Sequence, residues 1–251
     1  MVRCVVSPQQ RIGDRITLDA KQTKHLTTVL RLQPGDEFMV ASGEGEAQVA
    51  VLEVVSRGSA TARCVRPVPI PPSEPWQVTL AAAIPRHPGA FDQIIDQSTQ
   101  MGVTAIVPLV TARTVVRPDS ARLTSRQRRW TQLAVAAAQQ SGRSMIPRIE
   151  SPTTLDEILA RRGVFDCIVM PAVVFGAPDL SKAIFESPRR VLLVIGPEGD
   201  FTPNEVLRAT ACRAHIVSLG PTILRCETAV VAALAVIFQA LRAGGRENPS
   251  V

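Results

Sequence analysis

Two kinds of hydrophobic patterning divide the chain. Up to residue 66 the apolar positions fall in short runs rich in Val and Ala, at residues 37–40, 47–55 and 60–65. Turn formers such as Pro34-Gly35-Asp36 and Ser42-Gly43-Glu44-Gly45 separate them. Short runs bounded by Gly and Pro predict strands, so this part is expected to be a small β-rich domain, barrel-like, with one short helix over residues 24–32. From residue 77 the pattern changes. Aliphatic runs at 77–84, 103–109, 165–170, 191–195 and 215–219 predict strands, that at 191–195 buried on both faces. Phe91, Ile94, Ile95, Ser98 and Met101 share one helical face, and Gly102 is placed to end that helix. Residues 127–140 and 227–241 predict two more helices. Thr202-Pro203-Asn204-Glu205 carries a capping hydroxyl, a proline at the first helical position and a glutamate three residues after the cap, which together mark a helix start. Strands alternating with helices predict an α/β domain on a largely parallel sheet.

Five prolines within residues 67–75 separate the two patterns, a stiff extended stretch unable to continue a helix or a central strand. The expected domains are therefore residues 1–72 and 73–251. With 45% hydrophobic and 20% charged residues in a chain of 251, there is enough apolar material for sizeable cores. The longest apolar run, residues 229–241, is too short to span a bilayer and is expected to be a buried helix. The first residues lack the apolar stretch of a signal peptide, so no membrane association and a cytoplasmic location are expected. Cys4, Cys64, Cys167, Cys212 and Cys226 are scattered with no CxxC pair, which argues against a disulfide framework and a zinc site. His25, His87 and His215 are too dispersed for a metal site or a catalytic triad. Residues 244–251 are expected to fray.

Charge adds a partner class. The net charge is +6, and 25 of the 28 basic residues are arginine, a bias that a GC-rich genome also produces. The distribution is uneven: nine basic against seven acidic residues in 1–73, nine against five in 74–150, ten against ten in 151–251. Residues 111–148 hold eight arginines and one acid, Asp119. Such a cluster is either a solvated face or a nucleic-acid surface, and the planar guanidinium suits phosphate.

Ligands of parallel α/β sheets bind beyond the carboxyl ends of strands. Two such ends are unusual here: Ile195-Gly196-Pro197-Glu198-Gly199-Asp200, and Leu219-Gly220-Pro221-Thr222-Ile223-Leu224-Arg225-Cys226-Glu227-Thr228-Ala229. Either can be an ordinary Gly-Pro turn. Gly196 and Gly199 would also let backbone approach a ligand or take positive φ. Neither stretch has the spacing of a P-loop or a dinucleotide fingerprint, so ATP and NAD are unsupported. Both resemble the signature loops of the RsmE family within the SPOUT methyltransferases. His25-Leu26, Val29-Leu30-Arg31-Leu32 and Pro34-Gly35-Asp36 resemble the start of that family's PUA-like N-terminal domain, and Gln139-Gln140-Ser141-Gly142-Arg143 resembles a further block. Departures are Asp200 in place of a second glycine, Gln97 and Gln100 in place of Lys and Glu, and Gln139 in place of Glu.

The resemblance implies an α/β fold in which a C-terminal SPOUT domain, threaded through a trefoil knot, follows a small PUA-like β-barrel. It implies S-adenosylmethionine-dependent methylation of N3 of a uridine in 16S rRNA of the small ribosomal subunit, by a homodimer. The cofactor would lie against Met170, Pro171, Ile195, Gly196, Pro197, Glu198, Gly199, Leu219, Gly220, Ile223, Leu224 and Thr228. Transfer to N3 requires loss of its proton and stabilisation of charge on the uracil oxygens. The permanently cationic Arg225 suits the second task, unless it contacts phosphate or pairs with Glu227. Glu198 or Glu227 would accept the proton or brace loops. Cys226 is expected to be a small buried thiol and not a nucleophile. RNA contacts are expected from Arg31, Arg86, Arg113, Arg117 and Arg143, which give affinity and register but not sequence choice. With nine aromatic residues and no Tyr, stacking platforms are few. The alternatives are a SPOUT enzyme acting on ribose 2′-O, and an assembly factor that holds RNA without catalysis.

Charge reversal of several arginines between residues 113 and 129 is expected to weaken RNA binding and flatten its salt dependence, by about 0.7–0.9 in slope for each phosphate no longer neutralised. Filter binding across a salt series measures this, and an unchanged slope reduces the cluster to genomic composition.

Overall fold

Alternation of inward apolar and outward polar residues builds the first sheet. Its strands are β1 (Arg3–Val5), β2 (Arg11–Ile12), β3 (Arg15–Leu18), β4 (Glu37–Ala41), β5 (Ala47–Ser56) and β6 (Ser59–Pro67), in the order β1-β4-β5-β6-β3-β2. The computed structural model describes residues 2–43, 45–69, 74–87, 89–116, 120–182 and 188–244, with only the backbone of 120–122 and 244. Strand β1 runs parallel to β4, and the other pairs are antiparallel. The curled sheet closes over a core of Val6, Ile16, Leu18, Leu26, Phe38, Val40, Leu52, Ala60 and Ala62. The helix expected over 24–32 starts earlier, as α1 (Ala20–Lys24), and continues through a wider turn over His25–Val29. Its start is fixed by Asp19, whose carboxylate accepts the Gln22 N–H at 2.8 Å while the Gln22 side chain accepts the Asp19 N–H at 2.9 Å.

The chain separates into two units: Met1–Ser73 with Val135–Ile146, and Glu74–Ala134 with Pro147–Val251. The proline-rich stretch does not foretell the inclusion of Val135–Ile146 in the first. It follows from packing, because Val135 and Ile146 sit against Val5, Ala41 and Ala47. The proline stretch falls partly outside the described residues, which omit 70–73.

The second unit contains β7 (Gln77–Ala83), α2 (Ala90–Met101), β8 (Ala105–Val110), α3 (Ser120–Ser141, which ends in the first unit), β9 (Arg148–Ile149), β10 (Thr153–Thr154), α4 (Leu155–Ala160), β11 (Cys167–Pro171), β12 (Arg190–Ile195), α5 (Pro203–Ala211), β13 (His215–Val217) and α6 (Cys226–Gly244). All its strand pairs are parallel, in the order β10-β8-β7-β12-β11-β13, with β9 also on β8. The strands β7, β8, β11 and β12 are buried almost throughout, which explains their unbroken aliphatic runs. On one face Leu109, Met170, Leu192 and Val194 pack with Leu155, Ile158 and Leu159 of α4 and with Phe201 and Ala209. Helices α2 and α6 pack together, and α6 also meets β7 and β12. Gly102, at φ +123°, ends α2.

Helix α6 exceeds the 13 apolar residues counted in the sequence. Its residues Cys226–Ala243 are long and apolar enough to cross a membrane by length and composition, with mean hydropathy 1.6. Val230, Ala233, Leu234, Ile237, Phe238 and Leu241 are buried at spacings of three and four, as in a core-facing helix. Residues 245–251, in the segment expected to fray, lie outside the described residues.

The capping box at Thr202 is present and reaches further than a helix start. Glu205, only 2% exposed, accepts the Thr202 N–H (2.8 Å) and hydroxyl (2.9 Å) on Oε2, and the Ala112 N–H (2.8 Å) on Oε1. Burial pushes this carboxyl up, but the hydrogen bonds from Ala112 and Thr202, with Arg208 nearby, outweigh it and hold it below the ordinary glutamate value. A depressed carboxyl stabilises the fold fully above the unfolded value, about 4.3, and that contribution is lost as pH falls through the folded one. Glu205→Ala is expected to cost about 3 kcal/mol, or roughly 6–12 °C in Tm. Glu205→Gln is expected to lose much of this as well, having one acceptor for three donors, and to flatten the fall in Tm below about pH 4.3. Calorimetry between pH 3 and 6 measures both.

Candidate active site

Because β12 lies between β7 and β11, and β13 lies beyond β11, the loops leaving these strands emerge along one edge of the sheet. Between them is a cavity of about 650 Å³, lined by residues 171–175, 195–198 with Asp200, 218–224, Cys226 and Ala229. Its size is that of a small-molecule site, and Ile195, Leu219, Ile223 and Leu224 supply apolar wall.

The loop after β12 is held from four directions. The Arg86 N–H, just beyond β7, donates to Glu198 Oε1 at 2.8 Å. Arg113, beyond β8, donates from one guanidinium nitrogen to the Gly199 carbonyl at 2.6 Å and the Phe201 carbonyl at 3.3 Å. Asp200 Oδ2 accepts the Val173 N–H, beyond β11, at 2.8 Å. The Cys226 thiol, at the start of α6, donates to the Gly196 carbonyl at 3.2 Å. Gly196 is required by close approach, since a Cβ there would lie 2.9 Å from the Phe201 ring. Gly199 has no positive φ; Asp200, at φ +59°, takes that conformation instead. The loop after β13 is tied by the Ser218 N–H to the Pro178 carbonyl (2.8 Å) and by the Leu180 N–H to the Ser218 carbonyl (3.1 Å). Gly220 turns it at φ +114°.

Of the residues singled out for cofactor contact, Pro171, Ile195, Gly196, Pro197, Glu198, Leu219, Gly220, Ile223 and Leu224 line this cavity. Met170 is fully buried beside it in the sheet, and Gly199 and Thr228 are outside its lining. Arg225 and Glu227 are also outside the lining, Arg225 exposed and Glu227 half-buried. Glu198 has one carboxylate oxygen committed to the Arg86 N–H. Burial, reinforced by the charges of Glu198 and Glu227, pushes the Cys226 thiol up to about 12, so it is neutral and not a nucleophile. The lining also includes Val173, Val174 and Phe175, which periodicity did not single out; the signal available was an apolar run continuing past a strand end into Gly176.

The arginines divide by use. Arg31 is exposed at φ +59° and Arg86 is exposed. Arg113 is spent on the loop after β12. Arg143 is half-buried, and burial lowers its pKa. Arg129 pairs with Asp92. Arg117 lies outside the described residues. Among the described residues no group of three or more His, Cys, Asp or Glu could hold a metal ion, and the five cysteines are free thiols.

Comparison with known proteins matches this arrangement to one family. The model of an RNA methyltransferase domain matches residues 72–238, and that of an RNA methyltransferase PUA domain matches residues 18–64. Ribosomal RNA small subunit methyltransferase E of Synechocystis is 37% identical over 238 residues, 94% of this chain and 76% of that protein. The protein of that name from Bacillus subtilis is 30% identical over 88% of each chain. The crystal structure of ribosomal RNA small subunit methyltransferase E from Neisseria gonorrhoeae, bound to S-adenosyl methionine, superimposes with a TM-score of 0.83 at 27% identity, covering 95% of this chain and 97% of that one. With both domain models matched in order, and a relative 37% identical over 94% of this chain, this chain belongs to the RNA methyltransferase family of ribosomal RNA small subunit methyltransferase E.

Proposed function

We propose that this protein transfers a methyl group from S-adenosylmethionine to N3 of one specific uridine in 16S ribosomal RNA, with the assembled small subunit as substrate. The observation that carries this is the chemistry of the cavity at the strand ends. Among the described residues its lining includes the acidic Glu198 and Asp200 and no lysine or arginine. Negative charge beside apolar walls suits a ligand with a sulfonium, an ammonium and an adenine, and opposes one bearing phosphates. The residues assigned to hold it are Pro171, Ile195, Gly196, Pro197, Glu198, Leu219, Gly220, Ile223 and Leu224. When bound, S-adenosylmethionine supplies a methyl group on positively charged sulfur.

The chain's own residues then meet two demands at the uracil. Negative charge grows on O2 and O4 as N3–H is lost, and Arg225, exposed at the start of α6 with no side-chain partner among the described residues, is assigned to stabilise it. Glu198 Oε2, whose companion oxygen is held by Arg86, or the carboxylate of Glu227 takes the N3 proton. Holding donor and acceptor in line contributes part of an effective molarity of roughly 10⁵ M or more.

Residues 1–72 are assigned as the PUA-like RNA-holding domain, and residues 73–251 as the SPOUT domain with its trefoil knot. Arg31, Arg86 and Arg143 are assigned to RNA, with Arg113 bracing the cofactor loop. A homodimer is supported by α6, in which 39% of residues Cys226–Ala243 are buried within one chain while Val231 and Val236 stay only partly covered. A ribosomal substrate implies the cytoplasm.

Incubation of undermethylated small subunits with labelled S-adenosylmethionine is expected to place label in N3-methyluridine at one site, and naked 16S rRNA is expected to be the poorer substrate. Label on a ribose favours 2′-O transfer, and absence of cofactor binding favours an assembly factor. Arg225→Ala is expected to lower turnover by roughly 10²–10³-fold while cofactor still binds. Turnover near that of the unaltered protein removes Arg225 from the chemistry.

A further inference from the structure

Past the end of β11 the chain carries Ala172-Val173-Val174-Phe175-Gly176 along the cavity. This rim is apolar yet unpacked: Val173 is 72% exposed and Phe175 fully exposed. Burial therefore does little to hold it, and its position depends on hydrogen bonds. Ala172 still pairs with β13 through its N–H to the Val217 carbonyl (3.1 Å). The Val174 N–H folds back on the Ala172 carbonyl (3.0 Å) and the Ala177 N–H on the Val174 carbonyl (3.2 Å). Between them, the Val173 N–H is the first donor beyond the sheet, and it leaves the rim altogether to reach Asp200 Oδ2 at 2.8 Å.

Asp200 is the residue that departs from the glycine at this position of the signature loop. It keeps the left-handed backbone a glycine would take freely (φ +59°), a conformation disfavoured for a residue with a Cβ. What the side chain adds in return is an acceptor. Its own N–H is tied to the Pro197 carbonyl at 2.9 Å, so the carboxylate is presented from a closed turn.

We propose that Asp200 is a positioning residue for the cofactor: its carboxylate clasps the backbone of Val173 and so fixes the apolar rim 173–175 against the loop after β12, preforming the cavity that takes S-adenosylmethionine. The proposal rests on the cofactor assignment made above. Glycine here keeps the backbone and loses the clasp. Asparagine keeps both, because it tolerates the left-handed region and retains a side-chain oxygen that accepts the Val173 N–H.

The test is calorimetric titration of S-adenosylmethionine into the full-length protein and into Asp200→Gly and Asp200→Asn, with thermal melts and amide hydrogen exchange at Val173. Asp200→Gly is expected to melt no lower than the unaltered protein yet to bind about tenfold more weakly, with faster exchange at Val173. Asp200→Asn loses the charge but keeps the clasp, so it is expected to bind severalfold more tightly than Asp200→Gly, with exchange at Val173 as in the unaltered protein. Equal affinity of Asp200→Gly and the unaltered protein overturns the proposal, as does equal weakening by Asp200→Asn. If the unaltered protein binds no S-adenosylmethionine, the cofactor assignment itself fails and takes the positioning role with it, while exchange at Val173 still decides whether the clasp holds the rim.

Discussion

The loop that leaves β12 exposes Glu198 and Gly199 between the buried Pro197 and Phe201, and it is held by ties to everything around it. A parallel sheet delivers all its strand ends to one edge, so β7, β8, β11 and the start of α6 can each send a group to the same six residues. They do so with different chemistry: a backbone N–H from Arg86, a guanidinium from Arg113, a backbone N–H from Val173 and a thiol from Cys226. Glu205 then ties the loop's exit to the β8 end through Ala112. Each bond is modest alone, but together they leave the loop one conformation, and the cavity is the space that this conformation and its neighbours enclose.

The same network governs the electrostatics. Glu198, Asp200 and Glu205 each accept a backbone N–H, which fixes their side chains in place. Burial, with the charges of Glu198 and Glu227, keeps the Cys226 thiol protonated and confines it to a structural hydrogen bond. The arginine cluster is correspondingly less free than its count suggests. Arg113 braces a loop, Arg129 pairs with Asp92, and Arg143 is half-buried. An excess of positive charge in sequence is thus an upper limit on the charge available to a polyanion.

Much of the fold is legible because its signals are local. Long buried strands announce themselves by aliphatic runs, the end of α2 by Gly102, and the start of α5 by Thr202-Pro203-Asn204-Glu205. The strands β1 and β3 are not, since each offers only a few residues of alternation and owes its place to pairing with β4 and β6. Helix α1 lies earlier than its apolar pattern suggests because the reciprocal bonds of Asp19 and Gln22 set its start. Helix α4 escapes sequence reading through the same brevity, six residues made stable by packing under the sheet.

By itself the sequence determined the class of fold, the two signature loops and the family, because glycine, proline and capping residues act over a few neighbours and keep their meaning in any context. Only the tertiary structure decided which side chains share a surface. That Arg113 serves the loop after β12, that Asp200 reaches Val173, that Val173 to Phe175 form a cavity rim, and that Val135–Ile146 packs with the first unit all depend on partners distant along the chain. Such contacts arise only once strand order has been set, and strand order is a property of the whole sheet's burial, which no local pattern encodes.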